Sequence, residues 1–143
     1  MTLRKETYYR FSRRTSHLSA EGSVIQSYED LVVYKMSYSL ALRVFHATSG
    51  FPRGELYSLT DQVRRSSRSV PVNIAEGWAK RRFENVFKRH LIDAIGSCDE
   101  TKVWLHIAHD CSYLQASAYQ ELLSGYKDVG KMLYSLSRTW RTL

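Results

Sequence analysis

Gln62-Val63-Arg64-Arg65-Ser66-Ser67-Arg68-Ser69-Val70-Pro71-Val72-Asn73-Ile74-Ala75-Glu76-Gly77 decides the fold. Val63, Val70, Ile74 and Gly77 fall on one helical line, while Arg64, Arg65 and Arg68 gather on another face. Pro71 cannot donate to the Ser67 carbonyl and its ring clashes with it. A kink near Ser67 to Ser69 is therefore expected, or a break with a new helix from Pro71. Gly77 lies on the apolar line, where a missing side chain lets another helix come close.

Outward from this stretch the same periodicity repeats. Helix one is expected over about Glu29 to Thr48, with Leu31, Tyr34, Tyr38, Ala41 and Phe45 on one face. Val33, Leu40, Val44 and Ala47 make a second apolar line, which leaves a polar arc of Lys35, Ser39, Arg43 and His46. A helix apolar on two sides needs two partners, and in a small chain the second is another subunit. Gly50-Phe51-Pro52-Arg53-Gly54 ends this helix, and Phe51 is expected to anchor the loop. Helix two is expected from near Glu55, adding Leu56 and Leu59 to the buried line.

Helix three, about Glu84 to Cys111, carries Phe87, Leu91, Ala94, Cys98, Thr101, Leu105 and Ala108 at alternating spacings of four and three. It too has a second apolar line, Ile92, Gly96, Val103 and Ile107. Helix four runs from an N-cap at Ser117 to about Thr139, with Tyr119, Leu122, Tyr126, Val129, Leu133, Leu136 and Trp140 as its stripe. Long amphipathic helices on short connections predict an all-α, up-down-up-down antiparallel four-helix bundle over 28–143. Residues 1–27 read as a basic, flexible tail.

The 143 residues suffice for one domain with a buried core. Every apolar run falls short of the roughly 18 residues a membrane span needs, which argues against a membrane role. The N-terminus lacks the apolar centre of a secretory signal, and two cysteines make no disulfide framework, so a cytoplasmic location is expected.

The net charge of +7 favours a polyanionic partner. It is concentrated: residues 1–27 carry five basic and two acidic side chains, and 53–82 carry seven and three. Arg64, Arg65 and Arg68, reinforced by Lys80, Arg81 and Arg82, are the candidate nucleic-acid contacts. Arg10, Arg13 and Arg14, interleaved with Tyr8, Tyr9 and Phe11, form a basic-aromatic arm of the kind that folds onto RNA. Ordinary pairing competes with this reading, since Asp61 precedes Arg65 by four and Glu76 precedes Lys80 by four. Most other aromatics, including Tyr34, Tyr38, Tyr126 and Trp140, sit on stripes and are read as packing residues.

Catalytic chemistry finds little footing. His106 and His109 have a spacing that could present two imidazoles to a metal, but no matching pair recurs on another helix. Cys98 reads as a small core residue. Asp99 and Glu100 diverge, and there is neither a phosphate loop nor a nucleophile elbow. The expectation is a non-enzymatic protein without catalytic residues, metal or cofactor.

Tyr28-Glu29-Asp30-Leu31, Phe51-Pro52, Leu59-Thr60-Asp61-Gln62, Arg64-Arg65, Ser69-Val70-Pro71 and Asn73-Ile74-Ala75-Glu76-Gly77 together resemble the four-helix-bundle proteins encoded in bacterial 23S rRNA intervening sequences. The similarity spans about 28–140. Arg68 and Trp78-Ala79-Lys80 depart from the pattern. The resemblance implies a ring-forming homo-oligomer, commonly a homopentamer, and supplies no catalytic residues. It also looks like the accessory bundles of diversity-generating retroelements, which bind nucleic acid and a reverse transcriptase. RNA binding through the basic face is thus one expectation. A protein-interaction scaffold with arginines at subunit or partner interfaces is the other.

Overall fold

The computed structural model describes residues 24–142, which include four α-helices and no strand. They are α1 (Val32–Thr48), α2 (Leu59–Ala79), α3 (Glu84–Asp110) and α4 (Ala116–Thr139). Each packs on the next and α1 returns to α4, which makes an antiparallel four-helix bundle. Residues 1–23, with Arg10, Arg13 and Arg14, lie outside the described residues. No helix among those described is long and apolar enough to cross a membrane.

Burial follows the periodic rows. Val63, Val70 and Ile74 of α2 meet Phe87, Leu91, Ala94, Cys98 and Leu105 of α3, all at most 1% exposed. Tyr126, Val129 and Leu133 of α4 close the core from the other side. Phe51 anchors its loop as expected, buried against Tyr113 with ring centroids 5.8 Å apart.

Two glycines set the closest approaches. A Cβ on Gly77 would stand 2.7 Å from the His90 Cβ, and one on Gly125 would stand 2.6 Å from Leu40 Cδ2. Gly77 is therefore a packing glycine between α2 and α3. Beside it a polar ladder crosses the same seam. Thr101 Oγ1 donates to Ser66 Oγ at 2.9 Å, Ser97 Oγ to Ser69 Oγ at 2.9 Å, and His90 Nδ1 lies 3.3 Å from Asn73 Oδ1. Buried hydroxyls need partners, so sliding one helix along the other would orphan several at once and the ladder fixes register.

The helix boundaries correct several expectations. The chain before α1 is a short 3-10 turn, Tyr28–Asp30, so α1 begins at Val32 rather than Glu29. Ser27 Oγ accepts from the Glu29 N–H, and the Asp30 carboxylate accepts from the Ser27 and Gln26 N–H groups. These backbone donors hold the Asp30 carboxyl below its ordinary pKa. Helix two begins at Leu59, not Glu55, because Arg53–Glu55 forms its own 3-10 turn. Leu56 consequently leaves the buried line and is 45% exposed. The α2 helix runs through Pro71 without interruption, so no separate helix starts there. Gln115, not Ser117, occupies the cap position of α4.

The two apolar lines of α1 are buried unequally. Val33, Leu40 and Val44 face the core, whereas Tyr38, Leu42 and Phe45 are 51%, 48% and 40% exposed. Tyr38 is therefore not a core residue.

A candidate polyanion and assembly surface

The six basic residues singled out divide into two groups, one in the first half of α2 and one just past its C-terminal end. From Arg65 to Lys80 is fifteen residues, about 22 Å of helix.

Of the first group only Arg64 is engaged with the body of the protein. Arg64 Nε donates to Thr48 Oγ1 at 2.8 Å, and its guanidinium lies 4.7 Å from the Phe45 ring centroid. It bridges α2 to α1 instead of reaching freely into solvent. Arg65 is exposed and pairs with Asp61 at 3.8 Å, a long contact of little energetic weight. Arg68 is exposed, without an ion-pair partner among the described residues.

Arg68 also lines a groove of about 680 Å³ between α1 and α2. Its walls are Tyr34, Tyr38 and Phe45 from α1 and Pro71, Val72 and Ala75 from α2, with Glu76 at one end. Tyr38 and Phe45 are the members of their α1 row that the core leaves exposed, whereas Leu31 and Ala41 of the same row are buried. An exposed apolar patch of this kind is a candidate binding surface.

The second group gathers where α2 turns into α3. Lys80 Nζ lies 3.2 Å from His90 Nε2, and Glu76 also faces His90, at 3.8 Å, rather than pairing with Lys80. Arg81 lies 4.2 Å over the Trp78 ring and donates to the Trp78 carbonyl at 3.0 Å. Arg82 is exposed, 5.9 Å from the Phe83 ring centroid.

Sequence reading missed what joins them. The backbone N–H of Thr142 donates to Glu84 Oε1 at 2.9 Å, and its hydroxyl donates to the Arg81 carbonyl at 2.7 Å. Trp140 packs between Phe87 and Trp78, with centroids 5.0 and 5.6 Å away. The C-terminal segment is thereby strapped to the α2/α3 turn, and this brings Arg141 to the same end of the bundle, exposed, with its guanidinium donating to the Arg138 and Trp140 carbonyls at 3.1 and 2.6 Å. Glu84, the acidic member of this end, is held below its ordinary pKa by the Thr142 N–H first and by Lys88, 3.4 Å away. Its charge is thus spent on the strap. Trp140, a large stripe residue just before an arginine, was the available sequence signal.

The histidines are occupied locally. His106 and His109 both stack on Tyr119, with centroids 5.9 and 4.8 Å away, and both approach Asp110. No cluster of three or more metal-ligating side chains suited to an ion occurs among the described residues. Cys98 is buried, and that burial pushes its thiol up to about 12.

The fold and this surface define a small helical bundle with a basic end and an open apolar groove. The chain belongs to the 23S rRNA-intervening sequence protein family, whose model matches residues 29–135. It is similar in fold to a crystal structure from Bacteroides thetaiotaomicron VPI-5482, described as a protein with unknown function from the S23 ribosomal protein family. That likeness has a TM-score of 0.69 at 23% identity and covers 76% of this chain and all of the other. None of the curated proteins matches.

Proposed function

We propose that this protein is a non-catalytic, self-assembling helical bundle that holds a polyanion, RNA foremost, on the basic end formed by the α2/α3 turn and the C-terminal strap. The observation that carries this reading is the pair of Thr142 hydrogen bonds that hold the C-terminal segment, with exposed Arg141 next to Thr142, on the turn that carries Lys80, Arg81 and Arg82. Cations pinned on rigid elements bind phosphates with less ordering entropy than a mobile cluster would. Anisotropy titration of a labelled single-stranded RNA tests it. Affinity should fall as salt rises from about 50 to 200 mM, by about 0.7 log units per log salt for each phosphate contacted. Binding no tighter than ~10⁻⁴ M, or binding indifferent to salt, would sink it.

A second reading concerns the other arginine group. Arg68 lines the apolar groove and Arg64 packs on its Phe45 wall, which supports a role for both at a subunit interface. Reversing Arg68 should then reduce assembly while the bundle stays helical, and light scattering with circular dichroism separates those effects.

A further inference from the structure

The outer face of α3 is the second apolar surface of this bundle. Ile92, Val103 and Ile107 are 60%, 57% and 40% exposed, and they point away from the core row of Leu91, Cys98, Leu105 and Ala108. Ile92 and Ile107 are fifteen residues apart, so the ridge runs about 22 Å, four turns of helix. Gly96 sits within it, and a Cβ there would meet nothing within 4 Å. A partner helix could therefore approach the α3 backbone closely at the centre of the ridge.

We propose that the α1/α2 groove of one copy receives this α3 ridge of another copy, an inference that rests on the self-assembly reading above. Charge complementarity selects the occupant. Arg68 lines the groove, with Arg65 exposed on the same helix. The ridge is flanked by exposed Asp93, Asp99 and Glu100, against one exposed cation, Arg89, a turn before Ile92. Asp99 is held by Lys102 at 2.7 Å, whereas Asp93 and Glu100 have no ion-pair partner among the described residues. The free arginine thus finds free carboxylates on the ridge.

RNA suits the groove less well. Tyr34, Tyr38 and Phe45 could stack on bases. Glu76 and the aliphatic wall of Leu42, Val72 and Ala75, however, offer nothing to a phosphate backbone.

Groove and ridge lie on different helices, so the contact is heterologous. Each copy presents one groove and one ridge, and copies add head to tail into a closed ring or an open filament.

Mixing two blocked variants tests this. Val72→Glu spoils the groove and Val103→Glu spoils the ridge, and both sites are more than half exposed in the single bundle. A carboxylate at position 72 would engage Arg68 one turn away and repel Asp93 and Glu100 of the ridge, and one at position 103 must lose its water among the apolar groove walls, so each change should weaken self-association by about 10-fold or more. Sedimentation velocity should therefore find wild type assembled and each variant monomeric, with unchanged helicity by circular dichroism. An equimolar mixture should stop at a dimer, because one sound groove and one sound ridge remain. If wild type and both variants assemble alike, self-assembly stands and this interface is wrong. Monomeric variants that fail to dimerise when mixed also overturn the pairing. If Val72→Glu keeps its mass but loses RNA affinity, the groove belongs to RNA and the inference falls. A monomeric wild type removes self-assembly and this interface together.

Discussion

The backbone N–H of Thr142 donates to the carboxylate of Glu84 at 2.9 Å, tying the C-terminal segment to the first turn of α3. The bond makes the Glu84 charge part of the fold, and it makes stability depend on acid. Glu84 and Asp30 both have folded pKa values below their ordinary ones, each chiefly through backbone N–H donors. Such groups stabilise above the unfolded carboxylate range near ~4 and lose that contribution as pH falls through the folded value. Urea midpoints should be flat from about pH 7 to 5 and drop below about pH 4. Glu84→Gln, which keeps an oxygen for Thr142, should lower the midpoint at neutral pH and show a smaller acid drop. An identical acid drop in the variant would contradict the role given to the strap.

Gly77→Ala should be costly. The new methyl meets the Cβ of His90 at 2.7 Å and Phe87 Cδ2 at 3.0 Å, so backbone or packed ring must move. Overpacking of this kind costs about 1–3 kcal/mol. Chemical denaturation at neutral pH checks it, and an unchanged or raised midpoint would mean that the α2/α3 seam yields easily.

Ser112→Gly should stabilise. Ser112 has φ of 63° at the end of α3, where the Tyr113 N–H reaches the Ala108 carbonyl at 2.9 Å and the Ser112 N–H reaches that of His109 at 2.9 Å. Relief of the left-handed strain, less the extra entropy of glycine in the unfolded chain, leaves a gain of about 0.5–1 kcal/mol. Thermal melts of the two proteins give the comparison directly. A lower melting temperature would contradict the strain assigned to Ser112.

The two cysteines should react differently. Cys111 is exposed, while burial both hides the Cys98 thiol and pushes it up to about 12. At pH 8 an aromatic disulfide reagent should therefore titrate about one thiol per folded chain quickly and the second only on unfolding. Rapid reaction of both would show that the core around Cys98 opens readily.

Much of the fold was legible because core rows in helices repeat at 3.6 residues. Val63, Val70, Ile74 and the whole α3 row are buried where periodicity places them. Periodicity could not say which of two apolar lines on α1 meets the core, since both have the same period, and tertiary packing chose Val33, Leu40 and Val44. It also read straight through Arg53–Glu55, where a 3-10 turn delays α2 and releases Leu56.

The candidate surface was less legible. Thr142 and Glu84 are 58 positions apart, so no local pattern announces their bond. The inward turn of Arg64 depends on Thr48, sixteen positions earlier on another helix. Counting charges along the sequence found the arginines but could not sort them into the two groups.

The central claim is that the α2/α3 turn and the C-terminal strap form the polyanion contact. Its most direct test is the salt dependence of RNA affinity in the full chain and in the Lys80→Glu, Arg82→Glu, Arg141→Glu triple variant. Losing three phosphate contacts should lower affinity for every RNA sequence alike and flatten the slope of log affinity against log salt by about 2. An unchanged slope and affinity in a helical, normally assembled triple variant would contradict the claim.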